Sequence, residues 1–166
     1  DLLENFGGHI YAAGLTLREE NLPEFTRRIE EYVGAHLNTE ISTPIVDVDA
    51  KLNFSQITPK FFRILKQFQP FGPGNSSPVF QTDNVYDDGT GRKVGPSGQH
   101  LKLELIQEDS VYKPVPAIGF NMAENFDYIK AGNPIDVCYY LVENYYRGSS
   151  TLQLRLKDIK EGKDPV

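Results

Sequence analysis

The chain has 166 residues and a net charge of −6 at pH 7, with 39% hydrophobic and 24% charged residues. This composition excludes a disordered chain, and no apolar run approaches the roughly 18 residues that would suggest a membrane span. The one cysteine, Cys138, excludes an internal disulfide and predicts a reducing, cytoplasmic location with no membrane partner. Because residues 1–45 hold eight acidic and three basic side chains, the rest of the chain is near neutral and can carry locally basic faces.

The first notable stretch is residues 6–9, with the sequence FGGH, which is too rich in glycine for an ordinary strand. Gly7 and Gly8 allow another group to approach the main chain closely. The small residues Ala12, Ala13 and Gly14 follow directly. The approaching group is either a ligand phosphate or a neighbouring helix, and both interpretations stay open at this point.

Residues 12–17, with the sequence AAGLTL, predict a strand, and residues 21–37 predict a helix. Asn21 is a good N-cap, and Pro23 falls in the first turn, where its missing N–H is harmless. Apolar residues at helical spacing predict a buried stripe formed by Leu22, Phe25, Ile29, Tyr32 or Val33, and Leu37. Strand and helix together predict the tail of an α/β domain over residues 1–45.

Residues 46–78 are predicted to connect this tail to a second domain. Alternation over residues 45–54 predicts a strand with one wet face. Thr58 and Pro59 then predict the start of a helix, which ends at the glycine- and proline-rich residues 69–78. Gly72 and Gly74 in that segment are interpreted as turn residues rather than a phosphate cradle.

From residue 79 the pattern turns to β. Strands are predicted at 79–87, 100–106, 115–121, 134–146 and 151–159, with a helix at 122–132, and alternating leucines of the second and fifth strands point inward. Three strands, a helix and two strands are the order of the OB-fold, a five-stranded Greek-key barrel that binds oligonucleotides. The sequence therefore predicts an α+β protein with an OB-fold nucleic-acid-binding domain over residues 79–166.

Cations and aromatic side chains fall where this architecture holds single strands. The predicted loops after strands 1 and 4 and the outward strand faces carry Arg92, Lys93, Lys102, Tyr145, Tyr146, Arg147, Arg155 and Lys157. A charged groove with stacking rings is the general means of binding single-stranded nucleic acid. The alternative is structural, since half-buried strands often show outward cations and the tyrosines could close the barrel end. Of Tyr139 and Tyr140, which point to opposite faces, at least one is predicted to lie in the core.

Catalysis by these residues alone is not expected. The acidic pairs Asp47/Asp49 and Asp87/Asp88 have no nearby histidine, whereas two-metal phosphodiester hydrolysis needs several convergent ligands. Cys138 lies within an apolar strand, where a buried and inert thiol is expected. We therefore predict no metal site and no cofactor within these residues.

Three stretches resemble one family in the family's own order. Residues 6–15 (FGGHIYAAGL) resemble the glycine-histidine signature of the DHH-associated domain in the RecJ family of single-strand-specific exonucleases. Residues 69–80 (QPFGPGNSSPVF) resemble that family's PFGxGNPxPxF segment, with Ser76 where relatives often have proline. Residues 94–105, 117–121 and 144–159 resemble its OB domain. The first signature alone is shared with other DHH phosphoesterases.

The resemblance implies a C-terminal fragment of a metal-dependent 5′→3′ exonuclease that digests single-stranded DNA in recombination and repair. Gly7 and Gly8 would offer backbone N–H groups to the substrate phosphate, and His9 would act catalytically by contacting the phosphate under attack. The DHH domain, with manganese or magnesium, would be another part of the same chain. A repair helicase or a single-strand-binding protein is the protein partner implied. Two alternatives stay open: a stand-alone OB-type nucleic-acid-binding module, and a DHH phosphodiesterase acting on small nucleotides.

Overall fold

The computed structural model describes residues 2–36, 45–107, 113–146 and 148–163, and at position 146 the backbone alone. The chain divides into two compact units, Asp1–Ile45 and Val46–Val166. Within the described residues, no helix is both long enough and apolar enough to cross a membrane.

The first unit contains a β-hairpin followed by a helix. Strand β1 (Leu3–His9) pairs antiparallel with β2 (Ala12–Leu17), and a 3-10 turn (Glu19–Asn21) leads into α1 (Leu22–His36). The expectation that residues 6–9 would not form an ordinary strand was wrong, because this glycine-rich segment is part of β1. A Cβ atom added to Gly8 would lie 2.7 Å from the carbonyl oxygen of Ala12, so the group that approaches this main chain is the other strand of the hairpin.

Most of the apolar side of α1 is exposed, which corrects the predicted buried stripe; among its described members only Phe25 is half-buried. Ile29 and Tyr32 are 44% and 65% exposed, and Val33 and Leu22 are also open to solvent. Leu37, the last predicted position, lies outside the described residues. The described part of this unit holds only the hairpin and the helix, which is too little structure to cover an apolar stripe on both sides.

The second unit begins with short elements. Strand β3 (Ala50–Lys51) pairs parallel with the first long strand of the sheet, and α2 (Pro59–Leu65) follows a 3-10 turn (Phe54–Gln56). The strand predicted over 45–54 is shorter than expected and covers only Ala50 and Lys51, and the capping box of Asn53 and Gln56 starts the 3-10 turn shortly after it. The predicted helix start is confirmed, since the Thr58 hydroxyl accepts a hydrogen bond of 3.1 Å from the Phe61 N–H.

The long strands form one mixed sheet. They are β4 (Phe80–Asp87), β6 (His100–Gln107), β7 (Val115–Gly119), β8 (Ile135–Tyr146) and β9 (Ser149–Glu161), with the short β5 (Arg92–Val94) before β6. The strand order is β3-β4-β8-β9-β7-β6-β5, and β4 also pairs with β6. A 3-10 turn (Ala123–Asn125) and α3 (Phe126–Lys130) connect β7 to β8. Strands β7 and β9 run parallel, whereas β6 pairs antiparallel with β7 and β8 with β9.

The core lies on one face of this sheet. The predicted inward leucines of β6 are confirmed, because Leu101, Leu103 and Leu105 have no exposed surface. Tyr139 is also fully buried, as predicted for one of the two adjacent tyrosines. Its hydroxyl lies 2.9 Å from the Thr82 hydroxyl, which donates to the Leu52 carbonyl at 2.8 Å. Burial raises the pKa of Tyr139 to about 12, so this hydroxyl stays protonated.

Candidate nucleic-acid interface

The register of the strands brings cations together on the outer face of the sheet. Arg92 lies opposite Lys102, Lys102 opposite Ile118, Ile118 opposite Arg155, and Arg155 opposite Tyr140. Directly opposite residues point to the same face, and the neighbours of Lys102 on β6 are buried leucines. All five side chains therefore point outward, and we call them the cationic row. With strands about 4.8 Å apart, the row extends about 19 Å across five strands.

Aromatic rings lie beside the row. The guanidinium of Arg155 is 5.5 Å from the centre of the Phe120 ring, and His100 contacts the same ring at 5.1 Å. Phe120 is 48% exposed, so much of it is open to solvent. The ammonium group of Lys157 lies 5.6 Å from the centre of the Tyr140 ring. The face thus combines charge with exposed rings, as single-stranded nucleic acids require.

Of the predicted cations, Arg92, Lys102, Arg155 and Lys157 lie on this face. Lys93 does not, because it pairs with the buried Leu101 and its ammonium group lies over the Phe126 ring at 5.2 Å. Arg92 and Lys93 belong to β5 rather than to a loop, which corrects that part of the prediction. The three-residue strand was not recognised because glycines and polar residues surround it.

The predicted loop after the fourth barrel strand is also different. Tyr145 and Tyr146 belong to β8, where they pair with Ser150 and Ser149 of β9. Tyr145 is 71% exposed and lies five residues along the strand from Tyr140, about 17 Å away. Arg147 and the side chain of Tyr146 lie outside the described residues. The structure therefore does not bring Tyr145 into the cationic row.

The glycine-histidine stretch belongs to the first unit. His9 is the last residue of β1 and is exposed, and its Nδ1 atom accepts a hydrogen bond of 3.2 Å from the Tyr11 N–H. Gly7 lies opposite Gly14, with nothing within 4 Å of the position of an added Cβ atom. A side chain at Gly7 would therefore meet open space, unlike one at Gly8.

The acidic pair at the end of β4 organises a turn. Asp87 accepts hydrogen bonds from the N–H groups of Gly89 and Gly91 at 3.0 and 2.9 Å, and Asp88 accepts one from Thr90 at 2.9 Å. This turn directs the chain into β5 and so positions Arg92. Within the described residues, no group of three or more His, Cys, Asp or Glu side chains could hold a metal ion. We assign no metal ligand in this part of the chain.

One acidic residue limits the cationic row. Glu104 lies two residues along β6 from Lys102 and faces the same side. Burial raises the pKa of Glu104, and the nearby Asp88 carboxylate raises it further. The carboxyl groups of Glu104 and Asp88 thus border the row on the side toward the β4–β5 turn.

A groove of about 640 Å³ adjoins the other end of the row. It lies between α2 with its following loop and strands β8 and β9, and its lining includes Phe62, Phe71, Tyr140, Glu143 and Arg155. The ammonium group of Lys66 contacts the Glu143 carboxylate at 2.5 Å, and the Ser150 hydroxyl donates to the same carboxylate at 2.5 Å. These hydrogen bonds, with Lys66 contributing most, lower the pKa of Glu143 to about 2.

Phe120 and His100 were not identified from the sequence. It was also left open which of Tyr139 and Tyr140 lies in the core and which points outward. Alternation along residues 115–120 places Phe120 on the face of Ile118 and could have indicated it. Which residues of separate strands lie side by side depends on register, and β8 and β9 shift register between Cys138 and Tyr139. That irregularity has no local sequence signature.

The strand order, with parallel β7 and β9 and a helix between β7 and β8, defines an OB-type domain. A family model described as the RecJ OB domain matches residues 48–158. The chain belongs to this family, which confirms the resemblance inferred from the motifs.

Individual relatives agree. The chain is 30% identical over 158 residues to the single-stranded-DNA-specific exonuclease RecJ of Bacillus subtilis, covering 95% of this chain and 20% of that protein. It is 27% identical over 155 residues to the RecJ of Haemophilus influenzae, covering 93% and 26%. The crystal structure of Thermus thermophilus RecJ in complex with Mg²⁺ matches with a TM-score of 0.64 at 24% identity, covering 98% of this chain and 24% of that one. The chain spans about a quarter or less of these relatives.

Proposed function

We propose that the cationic row and its neighbouring rings bind single-stranded DNA and position it for a RecJ-type 5′→3′ exonuclease that acts in recombination and repair. The observation that carries this proposal is the register, which aligns Arg92, Lys102 and Arg155 across separate strands and ends at Tyr140. Guanidinium and ammonium groups neutralise phosphates, whereas exposed rings stack on bases. The names of the relatives, which are exonucleases specific for single-stranded DNA, support the same ligand.

In this proposal the second unit is a five-stranded OB barrel. The pairing of β4 with both β6 and β8 supports closure, because it links the two sides of the sheet through one strand. The turn held by Asp87 and the end of the β8–β9 hairpin then correspond to the two loops that OB domains use for oligonucleotides.

In the same proposal the first unit is the tail of a DHH-associated domain. The exposed apolar side of α1, with Ile29 and Tyr32, supports a role as part of a larger fold. Catalysis and the manganese or magnesium ions would belong to a DHH domain elsewhere in the protein. His9 would contact the phosphate under attack, and the backbone N–H groups of Gly7 and Gly8 would adjoin it.

The binding proposal is tested with the 166-residue chain and fluorescein-labelled oligo-dT. We expect the chain to prefer the single strand to a duplex of equal length, and the triple variant R92Q/K102Q/R155Q to lose most of its affinity. Equal binding by the triple variant and the parent would show that another face holds the nucleic acid.

The proposal that catalysis belongs to another domain is tested by incubating the purified chain with Mn²⁺ and single-stranded DNA. We expect no release of nucleotides, because the described residues provide no cluster of metal ligands. Metal-dependent release that persists through stringent purification would contradict the proposal.

The role of His9 requires a longer RecJ-type protein that contains this chain. There, His9→Ala is expected to lower turnover by about 10²-fold or more while single-strand affinity changes little, because a donor to charge developing in the transition state acts on rate. Unchanged turnover would make His9 a structural residue of the hairpin.

A further inference from the structure

We propose that the groove between α2 and strands β8 and β9 holds one nucleobase of the strand that crosses the cationic row. This inference rests on the proposed function, because the row must first bring a single strand to the groove. It adds a site for an unstacked base at the end of the row.

The groove is continuous with the cationic row. Arg155 and Tyr140 belong to the cationic row and also line the groove. They are directly opposite each other on β9 and β8, where the row ends. A strand that follows the row from Arg92 passes Lys102, Ile118 and Arg155 and reaches the groove at Tyr140.

The lining of the groove matches the surface of a nucleobase. Phe62, Leu65 and Phe71 give the groove apolar walls, and Gln69, Ser76 and Ser77 add polar groups. A nucleobase has two apolar faces and a polar edge, so it needs this combination. The volume of about 640 Å³ also falls within the roughly 300–1,000 Å³ of small-molecule sites.

The charges in and around the groove favour a base over a phosphate as its occupant. Lys66 is paired with Glu143 at 2.5 Å, so the interior of the groove carries no unpaired positive charge from this lysine. The Glu143 carboxylate stays ionised because its pKa is about 2, so the Lys66–Glu143 pair is neutral as a whole and offers a phosphate no net positive charge. Arg155 and Lys157 lie at the side toward the row, where the phosphates remain in contact with cations. The base enters the groove and the backbone stays outside.

The test uses the 166-residue chain and the shortest oligo-dT that keeps full affinity, so that the strand cannot shift its register. A single abasic residue is placed at each position in turn, and affinity is measured by fluorescence anisotropy. Apart from any position whose base stacks on Phe120, we expect one position to cost about 5- to 150-fold, the range for one stacked base.

That penalty is then measured in Ser76→Leu, which fills part of the groove without adding an aromatic ring or a charge. The control is Ser55→Leu, an exposed serine on the 3-10 turn outside the groove lining. Gln69→Ala, which removes a polar group from the lining, provides a second variant. We expect the abasic penalty to disappear in Ser76→Leu, to fall in Gln69→Ala and to persist in Ser55→Leu.

The outcomes separate the two proposals. If the triple variant R92Q/K102Q/R155Q loses affinity but no abasic position is affected by Ser76→Leu or Gln69→Ala, the groove does not hold a base and only this inference is overturned. If oligo-dT binds without dependence on the row, or does not bind, the proposed function and this inference are both overturned. A penalty at one position that disappears in Ser76→Leu establishes the groove as a base site.

Discussion

Replacing Lys102 with glutamine removes one charge from the middle of the cationic row. The side chain is exposed and lies between the buried Leu101 and Leu103, whose packing the substitution leaves in place. The sheet should therefore fold as before. Any change in single-strand affinity then reports the lost charge.

The magnitude follows from the number of cations on the face. If Arg92, Lys102, Arg155 and Lys157 each contact one phosphate, the logarithm of affinity falls with the logarithm of salt with a slope of about −2.8, at about −0.7 per contact. Lys102→Gln should flatten this slope to about −2.1. Between 50 and 200 mM salt, the parent should then lose about 50-fold in affinity and the variant about 20-fold.

The assay is fluorescence anisotropy with oligo-dT at several salt concentrations. Lys160→Gln is the matched control, because it removes the same charge from β9 three residues beyond Lys157 and five beyond Arg155. Lys160 lies about 10 Å from Lys157 and about 17 Å from Arg155 along the strand, beyond the Debye length of about 8 Å at physiological ionic strength. A salt slope that is equal in Lys102→Gln and the parent, or that changes as much in Lys160→Gln, would refute the assignment of phosphates to the row.

Three further predictions test the ring, the groove and the hairpin. Phe120→Leu should weaken oligo-dT binding by about 1–3 kcal/mol and leave the salt slope nearly unchanged, because a stacking ring carries no charge; a changed slope would contradict this. Because Lys66 lowers the pKa of Glu143 from 4.5 to about 2, the pair stabilises the fold above pH 4.5 and this stabilisation is lost as the pH falls toward 2. The stability advantage of the parent over Glu143→Gln in urea should therefore shrink across that range, and a constant difference would show that the pair does not stabilise the fold. Gly8→Ala should speed amide hydrogen exchange in the β1–β2 hairpin, because the new Cβ atom would lie 2.7 Å from a carbonyl oxygen, whereas Gly7→Ala, with open space, should not; equal exchange in both variants would contradict the close approach.

Local sequence signals predicted the parts of the fold that local physics decides. The alternation of Leu101, Leu103 and Leu105 gave the buried face of β6, since period two admits only one such face. Thr58 followed by Pro59 gave the start of α2, because a capping hydroxyl and a proline act on the first turn alone.

The candidate site was only partly predictable, because its members come from different strands and lie together only through the pairing register of those strands. Lys102 and Arg155 were named from outward positions on their own strands, but Ile118 joins them only through the pairing of β7 with both β6 and β9. Tyr145 was assigned to the loop after the fourth strand, although the strand predicted over 134–146 already included it. In the structure, Tyr145 pairs with Ser150 within β8, so the predicted strand is right and the loop assignment is wrong.

The burial predicted for α1 depended on structure that its own sequence does not contain. The spacing of Ile29 and Val33 correctly indicates one apolar side, but periodicity gives a direction and not a partner. Within the described residues of its unit, the β1–β2 hairpin is the main element against which α1 could pack. Its exposed side therefore follows from the size of the unit rather than from an error in helical phase.

The position of β9 has a consequence for how the chain acquires its structure. This strand follows all the others described, yet it lies between β8 and β7 and pairs with both. During synthesis, β7 and β8 leave the ribosome with the hydrogen-bonding groups of their facing edges unpaired, and they stay so until residues 149–161 emerge. Such edges are templates for intermolecular strand pairing, and non-local contacts of this kind form slowly. A nascent or truncated chain that ends before β9 thus exposes two aggregation-prone edges, and Arg155 joins Lys102 on one face only when the last strand is inserted.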